Sequence, residues 1–181
     1  PALMALKALE EGHPLVHLDL SRNNLGALGM VHLMSHQLAS RLEVLNLGKN
    51  AIGDEGLKIM LDRGRELKLK SVDLGSNHLS DEGTKALANS QMFHGLQDLK
   101  LVQNEILDEG LIALVRSPGA YGLRSLSVVG NGFGVAGVEA LARSPHLTTL
   151  RSLEVPTMTP EASEALANSP FLHDSIRAQW R

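Results

Sequence analysis

Residues 132–137 read Gly132-Phe133-Gly134-Val135-Ala136-Gly137. That Gly-x-Gly-x-x-Gly spacing lets a pyrophosphate approach a helix N-terminus in dinucleotide-binding units. Glu154 stands 22 residues beyond the first glycine, near where a ribose-binding acid would be needed. His32 and His36 are four apart, a spacing that puts two imidazoles on one helix face for a metal ion. The runs Asp54-Glu55-Gly56, Asp81-Glu82-Gly83 and Asp108-Glu109-Gly110 each place two carboxylates side by side, as acid–base or metal chemistry would use.

Each of these patterns has a second explanation in its own repetition. Gly137 belongs to the series Gly29, Gly56, Gly83, Gly110, Gly137, and Gly134 aligns with Gly53. Gly132 sits in a slot held elsewhere by Asn24, Ala51, His78 and Glu105, while Glu154 shares a column with Asp19, Asn46 and Asp73. Position 33 is Leu where a zincin needs Glu, and in register His32 and His36 match Ile59 and Arg63. The Asp-Glu pairs recur at one position, which suits an Asp N-cap and a first-turn Glu facing the helix dipole. No Ser-His-Asp set follows from spacing, and no P-loop is present. The sequence therefore assigns no catalytic, cofactor-binding or metal-ligating residue, and we read the chain as non-enzymatic.

The element that positions these residues is a repeat. The string LxxLxLxxNxL begins at Leu15 and returns at Leu42, Leu69, Leu96 and Leu123; a sixth copy, Leu150-Leu153-Val155, loses its Asn. A constant period of this size is the mark of a solenoid. From Ser71 to Leu74 apolar and polar residues alternate, as in a short strand with one buried face. An Asn then follows where the chain must turn, at Asn23, Asn50, Asn77, Asn104 and Asn131. Its amide can bond otherwise unpaired loop backbone, so stacked copies predict an asparagine ladder. Behind each loop, Leu57/Met60/Leu61, Leu111/Leu114/Val115 and Val138/Leu141 form an apolar helical stripe. The recurrent glycine is expected to let each helix start lie close against the next coil.

Strand plus helix in such a repeat resembles the ribonuclease-inhibitor-like class of leucine-rich repeats, over essentially the whole chain. The resemblance implies an α/β solenoid, a right-handed α/β horseshoe arc. Strands sit about 4.7–4.9 Å apart while packed helices need roughly 8–10 Å. The helices must splay, which puts parallel strands on the concave face and helices on the convex one.

The expected organisation is an N-terminal half-repeat helix over 1–14, because Leu3-Met4-Ala5-Leu6 aligns with Leu111-Ile112-Ala113-Leu114. Six repeats over 15–172 start at 15, 42, 69, 96, 123 and 150. A C-terminal cap or tail over 173–181 contains Trp180. The last repeat has a loop two residues shorter, since Ser163-Glu164-Ala165-Leu166-Ala167 matches Val138-Glu139-Ala140-Leu141-Ala142 early.

Bulk properties narrow the partners. Net charge is −3 and the pI about 6.3, which leaves no electrostatic footprint for nucleic acid or an anionic membrane. No window approaches the roughly 18 apolar residues of a membrane span. Residues 1–11 lack the pattern of a signal peptide, and with no Cys the chain leans towards a cytoplasmic location.

Solenoids commonly bind through the concave face. The outward columns there read Asp19, Asn46, Asp73, Lys100, Ser127, Glu154 and His17, Val44, Ser71, Asp98, Ser125, Ser152. Beyond the strands stand Arg22, Lys49, Ser76, Gln103 and Gly130. The candidate partner-binding residues are Asp19, Arg22, Asn46, Lys49, Asp73, Asp98 and Lys100, presenting a polar surface to another protein. Two alternatives stand beside this reading. One is a regulatory or targeting repeat domain of a larger protein, of the immune-sensor, GTPase-regulator or bacterial-effector type. The other is an element that self-associates end to end.

Overall fold

A computed structural model describes residues 15–35, 42–64 and 67–180. The N-terminal half-repeat helix expected over 1–14, and His36 of the histidine pair, lie outside the described residues. Six three-residue strands form one parallel sheet in chain order: β1 His17–Asp19, β2 Val44–Asn46, β3 Ser71–Asp73, β4 Asp98–Lys100, β5 Ser125–Ser127 and β6 Ser152–Glu154. Neighbours pair in a register of 27 residues, so Leu45 faces Val72, Val72 faces Leu99 and Leu99 faces Leu126.

Seven α-helices lie among the described residues: α1 Gly26–Met34, α2 Gly53–Arg63, α3 Asp81–Ala88, α4 Asp108–Arg116, α5 Val135–Ala142, α6 Pro160–Ala167 and α7 Asp174–Arg177. Successive helices pack side by side, and the main contacts join neighbours in the chain. This is an α/β solenoid with parallel strands on the concave face and helices on the convex one. None of its helices is long and apolar enough to cross a membrane among the described residues.

The core is a leucine stack filled by both layers. Leu42, Leu45 and Leu47 are buried, as are Leu69, Val72 and Leu74, and Leu96, Leu99 and Leu101. Met60, Leu111, Leu114, Val138 and Leu141 close it from the helix side, while Leu61 is half-buried. Phe93 and Ala120, on the short 3₁₀ turns that return the chain to β4 and β5, are fully buried. After α6 the chain turns into α7 and a last 3₁₀ turn, Ala178–Trp180; Ile176 is buried and Trp180 packs against the core.

Two local expectations need correction. Asp54, Asp81 and Asp108 do not cap their own helices: Ile52, Ser80 and Leu107 hold those N-cap positions. The carboxylates turn to the following coil instead. Asp81 Oδ1 accepts the Leu107 and Gly110 N–H groups at 2.8 and 2.9 Å. Asp108 Oδ1 accepts from Gly134 and Gly137 at 2.8 and 2.7 Å, and Asp54 accepts the Ser80 amide and hydroxyl at 2.9 and 2.5 Å. Stacking brings the orphan amides of the next helix start closer than those of the residue's own helix. The recurrent glycine accordingly faces the preceding coil, not the next one. A Cβ on Gly110 would lie 2.4 Å from Asp81 Oδ1, and one on Gly83 2.2 Å from Asp54 Oδ1.

Candidate functional site

The concave surface is held by the loops that follow each strand. Asn77 is fully buried there. Its Oδ1 accepts the Asn50 and Ile52 N–H groups of the preceding repeat at 3.0 and 3.3 Å. Its Nδ2 donates to the Leu47 and Gly75 carbonyls at 2.9 and 3.2 Å. Asn50 and Asn104 do the same for their neighbours, and Asn131 accepts from Ile106 while donating to Leu101 and Val128. At the near end Asn23 donates to Leu20 and Ser21. From Asn50 onward each rung therefore satisfies backbone groups in its own coil and the one before it.

This loop forces a backbone cost at one repeated position. Arg22, Lys49, Ser76 and Gln103 all sit in the left-handed region, at φ of 60°, 59°, 55° and 54°. The same position in the fifth repeat is Gly130, at φ 74°. A side chain there costs of order 1–3 kcal/mol, which glycine avoids.

The candidate residues fall into two groups. Asp19, Asn46, Asp73 and Lys100 are stacked in register across β1 to β4. Arg22 and Lys49 join Asn46, Asp73 and Lys100 around a groove of about 440 Å³, and Asp19 lines an adjoining one of about 420 Å³. Asp98 stands in the other column, between Ser71 and Ser125, and lines neither groove.

Much of the acidic and amide chemistry in the column is spent locally. Asp19 accepts the Ser21 N–H at 2.8 Å and the Asn46 Nδ2 at 3.0 Å; Asn46 and Asp73 accept from Gly48 and Gly75 at 3.0 and 2.9 Å. The Ser21 hydroxyl and amide, aided by Asn46, hold the Asp19 carboxyl below the usual range. At the far end Ser127 Oγ donates to Glu154 at 2.7 Å. The cations are different: among the described residues Arg22, Lys49 and Lys100 have neither a hydrogen bond nor an ion pair from their side chains.

The glycine motif is already occupied. The Gly134 and Gly137 amides that would meet a pyrophosphate donate to Asp108, and the Gly132 amide donates to the Ile106 carbonyl at 2.9 Å. Gly134 has φ −107° whereas Gly53, its counterpart in sequence, has +64°. His32 Nδ1 lies 2.8 Å from the Leu28 carbonyl of its own helix. In the acidic runs Asp81 and Asp108 bond the next coil, and Glu109 pairs with Lys85 at 2.7 Å, which holds its carboxyl below the ordinary range. No group of three or more metal-ligating side chains occurs among the described residues.

Sequence reasoning overlooked a further ladder. The buried Ser117, Ser144 and Ser169 hydroxyls donate to the Ala88, Val115 and Ala142 carbonyls at the preceding helix ends. Each also accepts an N–H two residues on, from Gly119, His146 or Phe171, at 3.2 Å. The recurrent Ser-Pro at 117, 144 and 169 was the visible signal. The left-handed row had no such signal, because its residue types are unlike one another.

The comparisons with known proteins agree with this geometry. The family described as Leucine Rich repeat matches residues 13–34, 41–58, 67–88, 96–115 and 123–142, together more than half of the chain. No curated protein matches the sequence significantly. Among 48 solved chains that match in structure is the C-terminal domain of tropomodulin from Caenorhabditis elegans. It has a TM-score of 0.58 over 93% of this chain and 91% of that one, at 12% sequence identity. So low an identity speaks to the fold alone. Repeats of this kind typically mediate protein–protein interaction. With five matched segments on one continuous stack, the chain belongs to the leucine-rich-repeat family.

Proposed function

We propose that this chain is a non-enzymatic protein-binding module that uses its concave groove, with Arg22, Lys49 and Lys100 as the principal contacts. Asn46 and Asp73 shape the groove floor, and Asp19 and Asp98 flank it. The six repeats over 15–172 form the binding unit and residues 173–181 its cap. The observation that carries this reading is the left-handed row: Arg22, Lys49, Ser76 and Gln103 keep side chains where Gly130 shows glycine suffices. A long cationic side chain kept at a strained, exposed position with no structural partner, as at Arg22 and Lys49, supports a binding use. Ser76 Oγ bonds Gln103 at 3.1 Å, which leaves Arg22 and Lys49 for a partner.

The test pairs Arg22→Gly with Lys49→Gly. Both changes relieve strain, so the double variant folds at least as well as the original while losing two groove cations. Affinity capture from host lysate should retain a partner on the original chain and lose it on the variant. A partner held equally by both would refute the groove.

A further inference from the structure

A second surface lies at the edge where the chain enters the strands. The residues immediately before β2 to β6 are Glu43, Lys70, Gln97, Arg124 and Arg151. Glu43 and Lys70 form a cross-strand ion pair at 2.8 Å. The column thus has the geometry to pair opposite charges across adjacent strands. At its other end it does the reverse. Arg124 and Arg151 are consecutive in the stack, joined by the Arg151 N–H to Arg124 carbonyl bond at 2.8 Å, and both are exposed. Like charges directly opposite are destabilising. Among the described residues neither guanidinium is ion-paired with an acid; Glu154, the nearest acid in sequence to Arg151, bonds Ser127.

The surroundings are pre-organised. The Thr149 hydroxyl bonds the Tyr121 and Leu123 carbonyls at 2.7 and 2.9 Å, tying the two entry loops together. Arg151 Nη1 donates to the Thr148 and Leu150 carbonyls at 3.0 and 2.9 Å, which orients its guanidinium and leaves its remaining N–H groups free to donate. Tyr121, the only tyrosine of the chain, lies on the entry turn three residues before Arg124 and is 61% exposed. Tyrosine and arginine are the residue types that most often anchor protein interfaces, and arginine forks match carboxylates two bonds at a time.

We propose that Tyr121, Arg124 and Arg151 form a binding edge for an acidic segment of a partner protein, whose carboxylates take the role that Glu43 plays for Lys70. The proposal rests on the reading of the chain as a protein-binding module, but on a different surface from the groove.

The test uses a labelled hexaglutamate peptide, with a Gly-Ser peptide of equal length as control, followed by fluorescence anisotropy at low and moderate salt. The hexaglutamate should bind, the control should not, and salt should weaken the complex. Arg124→Glu rebuilds the Glu43–Lys70 arrangement with Arg151, so it should raise the thermal midpoint while weakening binding at least tenfold. Tyr121→Ala should weaken it several-fold, and the Arg22→Gly/Lys49→Gly variant should bind within twofold of the original. No hexaglutamate binding, or undiminished binding by Arg124→Glu, overturns the proposal. Loss only in the groove variant also overturns it, while leaving the binding-module reading intact. Binding of inorganic phosphate or anionic vesicles by a chain that ignores hexaglutamate would assign the edge to another anion and likewise overturn it.

Discussion

Asn77 shows what a single residue contributes to this solenoid. It satisfies two amides of the previous repeat and two carbonyls from inside a fully buried site. Asn77→Ala would leave buried donors unpaired, each at about 1–3 kcal/mol. We expect a loss of about 3 kcal/mol in urea denaturation, against near-neutral effects at exposed polar positions. Ala51 is the opposite case: a non-glycine at φ 51° with no buried side chain. Ala51→Gly should raise stability by about 0.5–1 kcal/mol, and a lowered denaturation midpoint would contradict the strain argument. Asp19 sets a sign for acid. Its carboxyl is lowered by the Ser21 hydroxyl and amide and by Asn46, so its contribution is present above the ordinary aspartate range and is lost as pH falls through the lowered value. An NMR titration of Asp19 should show that low midpoint, and Asn46→Ala should move it upward.

At the scale of elements, a helix here starts on its neighbour's carboxylate. Asp81 serves α4 and Asp108 serves α5 across the coil boundary. Asp108→Ala should therefore cost about 1–2 kcal/mol, the usual worth of a lost cap, although Asp108 lies at the start of a different helix. The glycines complete the joint. In Gly110→Ala the new Cβ meets Asp81 Oδ1 at 2.4 Å, so we expect a loss of about 1–3 kcal/mol from overpacking. Combining it with Asp81→Ala should be less damaging than the two losses added together, because the clash and the cap share one oxygen. Strict additivity would mean that the glycine answers to something else.

Across the whole molecule the three ladders do not end together. The aspartate ladder stops at Val135, which stands where Asp108 stands one repeat earlier, and α6 is capped by its own Thr159 with Pro160 behind it. The asparagine ladder stops at Asn131, and only the serine ladder reaches the last coil, through Ser169. Stability in a solenoid is close to a sum of repeat and nearest-neighbour terms. Hydrogen exchange should accordingly be slowest in β3 to β5 and faster in β6 and α6. Equal protection along the stack would show that the apolar column, not the ladders, sets the cooperativity.

The amino-acid sequence alone determined the architecture, because a periodic leucine column can be buried only by stacking equivalent coils. It also named the asparagines, whose place after each of the first five strands leaves them one use. Direction was invisible: nothing in Asp108-Glu109-Gly110 says whether the carboxylate caps its own helix or the next. That depends on which orphan amides the packed coils bring within 3 Å. The left-handed row of Arg22, Lys49, Ser76 and Gln103 was likewise decided by loop geometry that residue types do not encode. The same is true of Arg124 and Arg151, which pair with no acid among the described residues. Their charges are plain in the sequence, but only strand register makes them neighbours, and only the Glu43–Lys70 pair in the same column shows what they lack.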